Sequence, residues 1–264
     1  MCEENGNVIP KLYSKAQANV ELVRSESIRD RNVPIVGNWT ATCSADPAKL
    51  SAAVLTWVAQ AREWTQLDRY LIVNVANEWG PADSTEWRDS YISAIAALRF
   101  AGYLGTVLID SGGCGQDVED LLKYSTAVFN SDPQKNVMFA LHVYGNASRS
   151  LSEAWFQKLA TLGKSAGMAF IIGEFGPGNG VGPSPTTVPP GQVISAAEAA
   201  GLGWLAWAWD DNNLDGCRSD DKWFSMTYAC GRYSAPSDLT RFGHDVVLNP
   251  SYGIKALARP ASIF

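Results

Sequence analysis

The sequence predicts an α/β protein built on a parallel β-sheet. Apolar strand-like runs alternate with helix-like segments along the chain. The strand-like runs are rich in Val, Ile and Leu and lack polar alternation, which is typical of strands covered on both faces. At 264 residues, 46% of them hydrophobic, the chain can bury one large core, and single-domain α/β barrels reach this length. We therefore expect a single domain over residues 1–264.

Six strand-like runs follow one another, each bounded by polar or turn-forming residues: Pro34–Trp39, Tyr70–Glu78, Thr106–Ser111, Val137–Tyr144, Ala169–Phe175 and Gly203–Trp209. Helix-like segments lie between them: Pro47–Trp64, Thr85–Ala101, Val118–Val128, Ser152–Gly167 and Gln192–Ala200. Asp46 before Pro47 is typical of an N-cap followed by proline at the first helical position. The Pro- and Gly-rich stretch Gly176–Gly191 predicts a strand-to-helix loop over a cleft.

A closed barrel of this kind needs eight strands, two more than the six strand-like runs supply. Before Pro34 the sequence offers a helix-like stretch, Ser14–Arg31, and one weak strand candidate, Asn7–Tyr13. We therefore predict an incomplete barrel, in which residues 1–33 replace or truncate the first two strand–helix units. An open barrel exposes two sheet edges and interior apolar surface. We expect a second copy of the chain, or less readily Met1–Tyr13, to cover the opening.

Composition and charge exclude several partners. The net charge of −6, without any cluster of Lys or Arg, argues against nucleic acid. No apolar run is long enough to span a membrane, so we expect no membrane partner. The first residues lack a signal peptide, yet secretion with a leader removed remains our expectation. Ten tryptophans are a surplus for a chain of this size; we expect about half in the core and others in a groove that stacks sugar rings.

The five cysteines, Cys2, Cys43, Cys114, Cys217 and Cys230, lack the CxxC spacing of a metal site, and nothing in the chain predicts a metal or another cofactor. Cys217 and Cys230 bracket one loop-like stretch and are candidates for a disulfide in an exported protein. The sequence does not decide the pairing.

The candidate catalytic residues lie in two short runs, Val73–Gly80 and Phe170–Gly176. Each is a buried type of β-run that ends in one glutamate, Glu78 in the first and Glu174 in the second. Burial disfavours a charged carboxylate, so two such sites indicate a functional pair rather than rim salt bridges. Two carboxylates in different environments, one acid/base and one nucleophile, hydrolyse glycosidic bonds. No Gly-rich phosphate loop follows any strand, which disfavours an enzyme of phosphorylated small molecules.

Six motifs follow one another along the chain: Val75–Trp79, Ile109–Gln116, Asn130–Asn136, His142–Tyr144, Ile172–Gly176 and Gly203–Trp209. With these motifs in this order, the chain resembles glycoside hydrolase family 5, a family of retaining TIM-type (β/α)₈ barrels, and in particular its bacterial β-mannanase-like and endoglucanase-like members. The resemblance covers the chain from about Pro34 onwards. It implies that these motifs lie at the carboxyl ends of barrel strands four to eight, where such barrels keep their active sites.

The resemblance implies roles for individual residues. Glu78 corresponds to the acid/base, Glu174 to the nucleophile and Asn77 to a ligand of the sugar 2-hydroxyl. His142 and Tyr144 leave the same face of their strand, and the Tyr144 hydroxyl is expected to bind the nucleophile. The remaining expected substrate-binding residues are aromatic or amide side chains near the strand ends: Trp207, Trp209, Trp39, Asn38 and Trp79. Either Trp207 or Trp209 is the sugar platform.

Two departures from the family pattern stand out. Asn38 or Trp39 occupies the place of a His at the end of strand three. If strands one and two are missing, an Arg on strand two is missing as well, and Arg24 replaces it only if the alignment shifts.

The sequence therefore predicts a retaining endo-β-1,4-glycan hydrolase that acts on polysaccharides or oligosaccharides, with mannan as the first choice of substrate and β-1,4-glucan as the second. The alternative is a catalytically degenerate barrel that binds carbohydrate without turnover. The strand-three departure favours the alternative; the presence of both glutamates, His142 and Tyr144 opposes it.

Overall fold

The computed structural model describes residue 29 and residues 31–144, 153–177, 189–209, 224–228 and 233–259. Six strands form one sheet in the order β1-β2-β3-β4-β5-β6, so each strand lies beside its neighbour in sequence. They are β1 (Ile35–Gly37), β2 (Ile72–Asn74), β3 (Thr106–Asp110), β4 (Val137–Val143), β5 (Ala169–Phe175) and β6 (Gly203–Trp204). Each strand lies within one of the six predicted runs.

Helices alternate with the strands, as predicted. The longer ones are α1 (Pro47–Ala59), α3 (Thr85–Phe100), α4 (Val118–Ser131), α5 (Glu153–Ala166) and α6 (Pro190–Ala200). The predicted N-cap is confirmed, because the Asp46 side chain accepts a hydrogen bond from the Ala48 N–H at 2.9 Å. Ser84 and Asp117 cap α3 and α4 in the same way.

One predicted helix is interrupted. The segment predicted to run from Pro47 to Trp64 breaks at Gln60, where the backbone leaves the helical region. A short helix α2 (Ala61–Trp64) and a 3₁₀ helix (Thr65–Tyr70) follow. Short helical segments that the sequence did not predict lie near the C-terminus: a 3₁₀ turn (Pro236–Asp238), α7 (Arg241–Gly243), a π-helical segment (His244–Leu248) and α8 (Ile254–Leu257).

The described residues belong to two compact units. The first takes in Leu12–His142 and Lys158–Ile171. Within it β1, β2, β3 and β4 are parallel, with Ile35 opposite Ile72, Ile72 opposite Thr106 and Val107 opposite Val137. Four tryptophans belong to its core: Trp57, Trp64, Trp79 and Trp87.

Two of these indole rings also bind helices to the backbone of the strand ends. Trp57 donates to the Val75 carbonyl at 2.9 Å and Trp87 to the Asp110 carbonyl at 3.0 Å. The ring of Tyr91 packs edge-on against both Trp79 and Trp87. A buried indole needs a partner for its N–H, so these bonds fix α1 and α3 against the carboxyl ends of β2 and β3.

Arg99 organises the opposite, amino-terminal ends of β3 and β4. Its guanidinium makes two bonds to the buried Asp132 carboxylate, both at 2.9 Å, and three more to the carbonyls of Tyr103, Gly105 and Asn136. All five N–H groups of the side chain are therefore satisfied. Burial on its own raises the pKa of Asp132, but the Arg99 hydrogen bonds and the N–H groups of Asn136 and Gln134 outweigh it, and the pKa lies below its ordinary value.

The second unit takes in Val143–Gln157 and Ile172–Arg259. Its core lies around Phe175, which is fully buried and packs edge-on against Trp204 and Phe242. After β6 the chain continues to bond to β5, with the Trp207 N–H donating to the Phe175 carbonyl at 2.8 Å. The peptide bond between Trp207 and Ala208 is cis.

Some predictions fall on other parts of the chain. Asn7–Tyr13, Arg24, Cys217 and Cys230 lie outside the described residues, as does the Ser14–Arg31 helix apart from Arg29 and Arg31. The Gly176–Gly191 loop is described only at its ends. Among the described residues, no helix has the length and apolarity that crossing a membrane requires.

Candidate active site

Glu78 follows β2 in a turn that the neighbouring loops hold in place. Its φ is +52°, a left-handed conformation that residues with a Cβ rarely adopt. Its N–H donates to Asp110 Oδ2 at 2.9 Å, and the preceding N–H of Asn77 donates to the Asn38 carbonyl at 2.8 Å. Strained backbone of this kind persists where the surroundings determine it and is concentrated at functional sites.

The Glu78 side chain is only 12% exposed and belongs to a row of polar side chains that includes His142 and Asp110. Glu78 Oε1 lies 2.9 Å from His142 Nδ1, and His142 Nε2 lies 3.6 Å from Asp110 Oδ1. Asp110 Oδ1 also accepts from the Asn74 amide at 2.8 Å. His142 thus stands between two carboxylates at the carboxyl ends of β2, β3 and β4.

Asp110 is a completely buried carboxylate. Burial is the largest influence on its pKa and raises it. The charge and hydrogen bond of His142, the Glu78 N–H and the Asn74 amide together outweigh burial, so the pKa of Asp110 lies below its ordinary value. Asp110 is therefore ionised at neutral pH and favours a proton on the facing nitrogen of His142.

The remaining predicted residues of this unit lie around the same turn. Asn77 is buried, and its amide donates to Thr42 Oγ1 at 3.3 Å. Asn38 Oδ1 accepts from both the N–H and the hydroxyl of Thr40, so it caps its own loop. Trp39 is 45% exposed, as a sugar-stacking ring requires.

The structure does not support the prediction that Trp79 binds substrate. It is fully buried, and its indole N–H donates to the Asp46 carbonyl at 2.9 Å. Trp79 is therefore a core residue, with no exposed surface on which a sugar ring could stack.

A disulfide joins Cys43 and Cys114 beside Glu78, with a Cα–Cα distance of 4.4 Å. Cys43 Sγ lies 3.3 Å from Glu78 Oε2. The three residues are close enough together to resemble a metal-ligand set, but the sulfurs are bonded to each other and so are not thiolate ligands.

Glu174 lies on β5 in the second unit and is half-buried. The Tyr144 hydroxyl donates to Glu174 Oε2 at 2.7 Å, as the resemblance implied. The Tyr144 ring packs edge-on against Phe224. Gly176 leaves room for the Phe224 ring, since a Cβ at this position would lie 2.6 Å from Phe224 Cδ1. A donor to a carboxylate stabilises its charged form, which a nucleophile requires.

The two predicted platform residues differ in exposure. Trp209 is 41% exposed, and its ring packs edge-on against Tyr233 at 6.0 Å. Trp207 is half-buried. Both belong to the second unit.

Sequence reasoning missed Asp110 and the Cys43–Cys114 bridge. Asp110 lies in the motif Ile109–Gln116, and it is the only charged residue of the apolar run Thr106–Ser111, which was an available signal. The bridge left no such signal, because its cysteines are 71 residues apart.

Comparison with known proteins places the chain in a family. The family model described as cellulase (glycosyl hydrolase family 5) matches residues 29–213. A mannan endo-1,4-beta-mannosidase of Salipaludibacillus agaradhaerens is 30% identical over 239 residues, which cover 89% of this chain and 72% of that protein. One of Cellvibrio japonicus is 30% identical over 220 residues, covering 82% of this chain and 47% of that protein.

Solved structures of β-mannanases are also similar to this chain. The β-mannanase of Thermomonospora fusca has a TM-score of 0.77 at 25% identity, covering 94% of this chain and 79% of that one. The β-mannanase of Streptomyces thermolilacinus, solved with mannohexaose, has a TM-score of 0.75 at 25% identity, covering 94% and 78%. The strand order and this likeness confirm the predicted fold class, a TIM-type (β/α) barrel with six strands in the described part. The chain is a member of glycoside hydrolase family 5.

Proposed function

We propose that this chain is a retaining endo-β-1,4-mannan hydrolase in which Glu78 is the general acid/base and Glu174 the nucleophile. One observation carries the proposal: each strand-end glutamate has a specific polar partner from the end of β4. His142 Nδ1 lies 2.9 Å from Glu78, and the Tyr144 hydroxyl lies 2.7 Å from Glu174.

A retaining mechanism sets the distance between the two carboxyl groups. We expect them about 5 to 5.5 Å apart, the separation for direct nucleophilic attack. A separation near 9 Å would indicate inversion through an interposed water.

The reaction takes two steps. In the first, the Glu174 carboxylate attacks the anomeric carbon, the glycosidic C–O bond breaks, and the protonated Glu78 gives its proton to the leaving oxygen. In the second, the Glu78 carboxylate takes a proton from water, the hydroxide attacks the anomeric carbon, and Glu174 leaves. Asn77 is proposed to bind the sugar 2-hydroxyl during both steps.

The Asp110–His142–Glu78 chain suits a residue that must both give and take a proton. An ionised Asp110 favours hydrogen on His142 Nε2, so Nδ1 is the nitrogen that can accept a hydrogen from Glu78 or donate one to it. A protonated Glu78 is the form needed for the first step. After the proton has left, a proton on Nδ1 would stabilise the carboxylate.

Mannan is the proposed substrate because the two relatives described above are named mannan endo-1,4-beta-mannosidases and the S. thermolilacinus enzyme was solved with mannohexaose. β-1,4-Glucan is the second choice, in line with the description of the family as cellulase. Trp39, Trp207 and Trp209 are the proposed stacking surfaces. Since disulfides persist in oxidising compartments, the Cys43–Cys114 bridge supports a function outside the cytoplasm.

The test is a pair of variants, Glu78→Ala and Glu174→Ala, on mannan and on a dinitrophenyl β-mannobioside with azide. Both variants should lose at least about 10²-fold in turnover of mannan. With the activated substrate, azide should rescue Glu78→Ala by attacking the glycosyl-enzyme, which yields the β-glycosyl azide. Azide should attack the substrate directly in Glu174→Ala, which yields the α-anomer.

Glu86→Ala, which removes an exposed glutamate at the start of α3, is the matched control and should retain wild-type turnover. Near-wild-type turnover of mannan by either active-site variant, or the same azide anomer from both, would refute the assignment. Parallel assays on carboxymethyl-cellulose, xylan and laminarin test the choice of mannan.

One observation favours the degenerate barrel as a second candidate. Asn38, which stands in the place of the family His, turns its side chain back onto Thr40. The two candidates separate in calorimetry with mannohexaose: binding without any release of shorter products would support the degenerate barrel.

A further inference from the structure

We propose that the Cys43–Cys114 disulfide is a positioning element for Glu78. By joining the loops on either side of β2 it holds the Glu78 carboxylate for proton transfer, and its reduction slows hydrolysis without weakening substrate binding. The inference rests on the acid/base role proposed for Glu78.

The bridge crosses the end of the strand that leads to Glu78. Cys43 lies in the loop after β1 and Cys114 in the loop after β3, while β2 lies between these two strands. Strands on either side of a third are about 10 Å apart. The Cα atoms of the two cysteines are 4.4 Å apart, so the two loops converge over the end of β2.

The bridge confines one side of the carboxylate. Glu78 Oε1 faces His142 Nδ1 at 2.9 Å, and Oε2 faces Cys43 Sγ at 3.3 Å. A disulfide sulfur carries no proton, so this contact is a packing contact that limits rotation of the carboxyl group. One oxygen is thereby held on its hydrogen-bond partner while the other is held against the bridge.

The backbone around the bridge is strained and mutually bonded. Cys43, Glu78 and Cys114 all have positive φ, at 54°, 52° and 58°. The Gly80 N–H donates to the Ser44 carbonyl and the Gly113 N–H to the Gly80 carbonyl, both at 2.9 Å. Three consecutive loops are thus joined beside three unfavourable conformations, which persist only where other contacts hold them.

The Cys114 turn also holds the imidazole. The next residue, Gly115, has a φ of +72°, and a Cβ there would lie 2.8 Å from both Cγ and Nδ1 of His142. The His142 N–H donates to the Gly115 carbonyl at 2.7 Å. Movement of the Cys114 turn would therefore disturb both neighbours of the Glu78 carboxylate, the bridge and the imidazole.

Reduction by a dithiol breaks the S–S bond. The dithiol supplies two electrons and two protons, becomes a disulfide itself, and leaves thiols on Cys43 and Cys114. Non-bonded sulfurs require more space than bonded ones, so the two loops must separate. Cys43 is exposed, which gives a small dithiol access.

The experiment compares oxidised wild type, wild type treated with dithiothreitol, and the Cys43→Ala/Cys114→Ala double variant. On mannohexaose we expect kcat to fall at least about tenfold in both altered forms, because a small misplacement of a proton donor is costly, and KM to stay within about twofold. A dinitrophenyl β-mannobioside with azide needs neither the acid nor the base, so with this pair both forms should approach the wild-type rate.

Two controls keep the outcomes separate. The double variant must be insensitive to dithiothreitol, which excludes effects through the other three cysteines. Should the double variant not fold, the decision rests on reduced wild type, with thiol titration and unchanged circular dichroism showing that the bridge is open and the chain folded.

Unchanged kcat, a rise in KM as the main effect, or a loss that azide does not rescue would overturn the inference. Glu78→Ala in the same azide assay tests the underlying role separately. Rescue of Glu78→Ala together with an unaffected bridge variant would refute the positioning role alone, whereas failure to rescue Glu78→Ala would refute the proposed function.

Discussion

Asp110→Asn is the sharpest test of the buried chain behind Glu78. The substitution keeps the shape of the side chain but removes its charge. In the protein the Asp110 carboxylate accepts the Glu78 N–H at 2.9 Å and the Asn74 amide at 2.8 Å, and it faces His142 Nε2 at 3.6 Å. An asparagine has one acceptor oxygen, so one of the two donors must face an NH₂ group.

The structure sets the size of the effect. A hydrogen bond to a charged group contributes about 1.5 to 3 kcal/mol, and a buried donor without an acceptor costs a similar amount. We expect the free energy of unfolding to fall by about 2 to 4 kcal/mol. The substitution also removes the negative charge of Asp110, which favours hydrogen on His142 Nε2. We expect kcat on mannohexaose to fall about 10²-fold, which corresponds to about 3 kcal/mol in the activation barrier.

Asp132→Asn is the matched control. Asp132 is also fully buried and ionised, but its partner is Arg99 at the amino-terminal ends of β3 and β4. Breaking a buried ion pair costs about 3 to 5 kcal/mol, so this variant should lose at least as much stability. It should retain wild-type kcat at a temperature where it stays folded.

Urea unfolding measures the stability of both variants, and steady-state kinetics measures their turnover. A folded Asp110→Asn variant that keeps kcat within about threefold of wild type would refute the role of Asp110 in turnover. Equal losses of turnover in both variants would refute it as well, because the loss would then follow stability and not the contact with His142.

Three further predictions follow from other contacts. Gly115→Ala should lower kcat and cost at least about 1 kcal/mol of stability, since the new Cβ would strain a positive φ and press on His142; unchanged kinetics would contradict this contact. Burial above all raises the pKa of Asp120 to about 7. Because the folded state then holds the proton more tightly, wild type should lose stability as pH rises from about 4 to 7, and urea unfolding should show a smaller loss in Asp120→Asn. Light scattering after size-exclusion chromatography should detect association between copies of the chain, and a monomer at low micromolar concentration would refute the predicted oligomer.

The regular elements were predictable because each is a local pattern. All six strands lie within apolar runs, and α1, α3 and α4 begin where Pro47, Thr85 and Val118 follow a capping side chain. The ends of the strands were less predictable than their positions. The predicted strand Tyr70–Glu78 stops at Asn74, because the following residues turn to place Glu78 at positive φ.

The supporting parts of the site were not predictable in the same way. The helix after Pro47 breaks at Gln60, although no glycine or proline marks the place. Asp110 bonds to Glu78, 32 residues away in sequence, and Cys114 bonds to Cys43, 71 residues away. A sequence pattern indicates which face of a helix or strand is apolar and where that element ends. The contacts of Asp110 and Cys114 depend instead on which strands become neighbours in the fold.

The five hydrogen bonds of Arg99 have a consequence for how the protein opens. They join the end of α3, the approach to β3 and the approach to β4 through one buried side chain. Exposing any one of these segments breaks bonds in the others, so they should open as one cooperative unit. Amide hydrogen exchange in β3 and β4 should then be slowest near their first residues, away from the glutamates. Lysine has three donors and no planar fork, so Arg99→Lys should accelerate exchange at all three segments together.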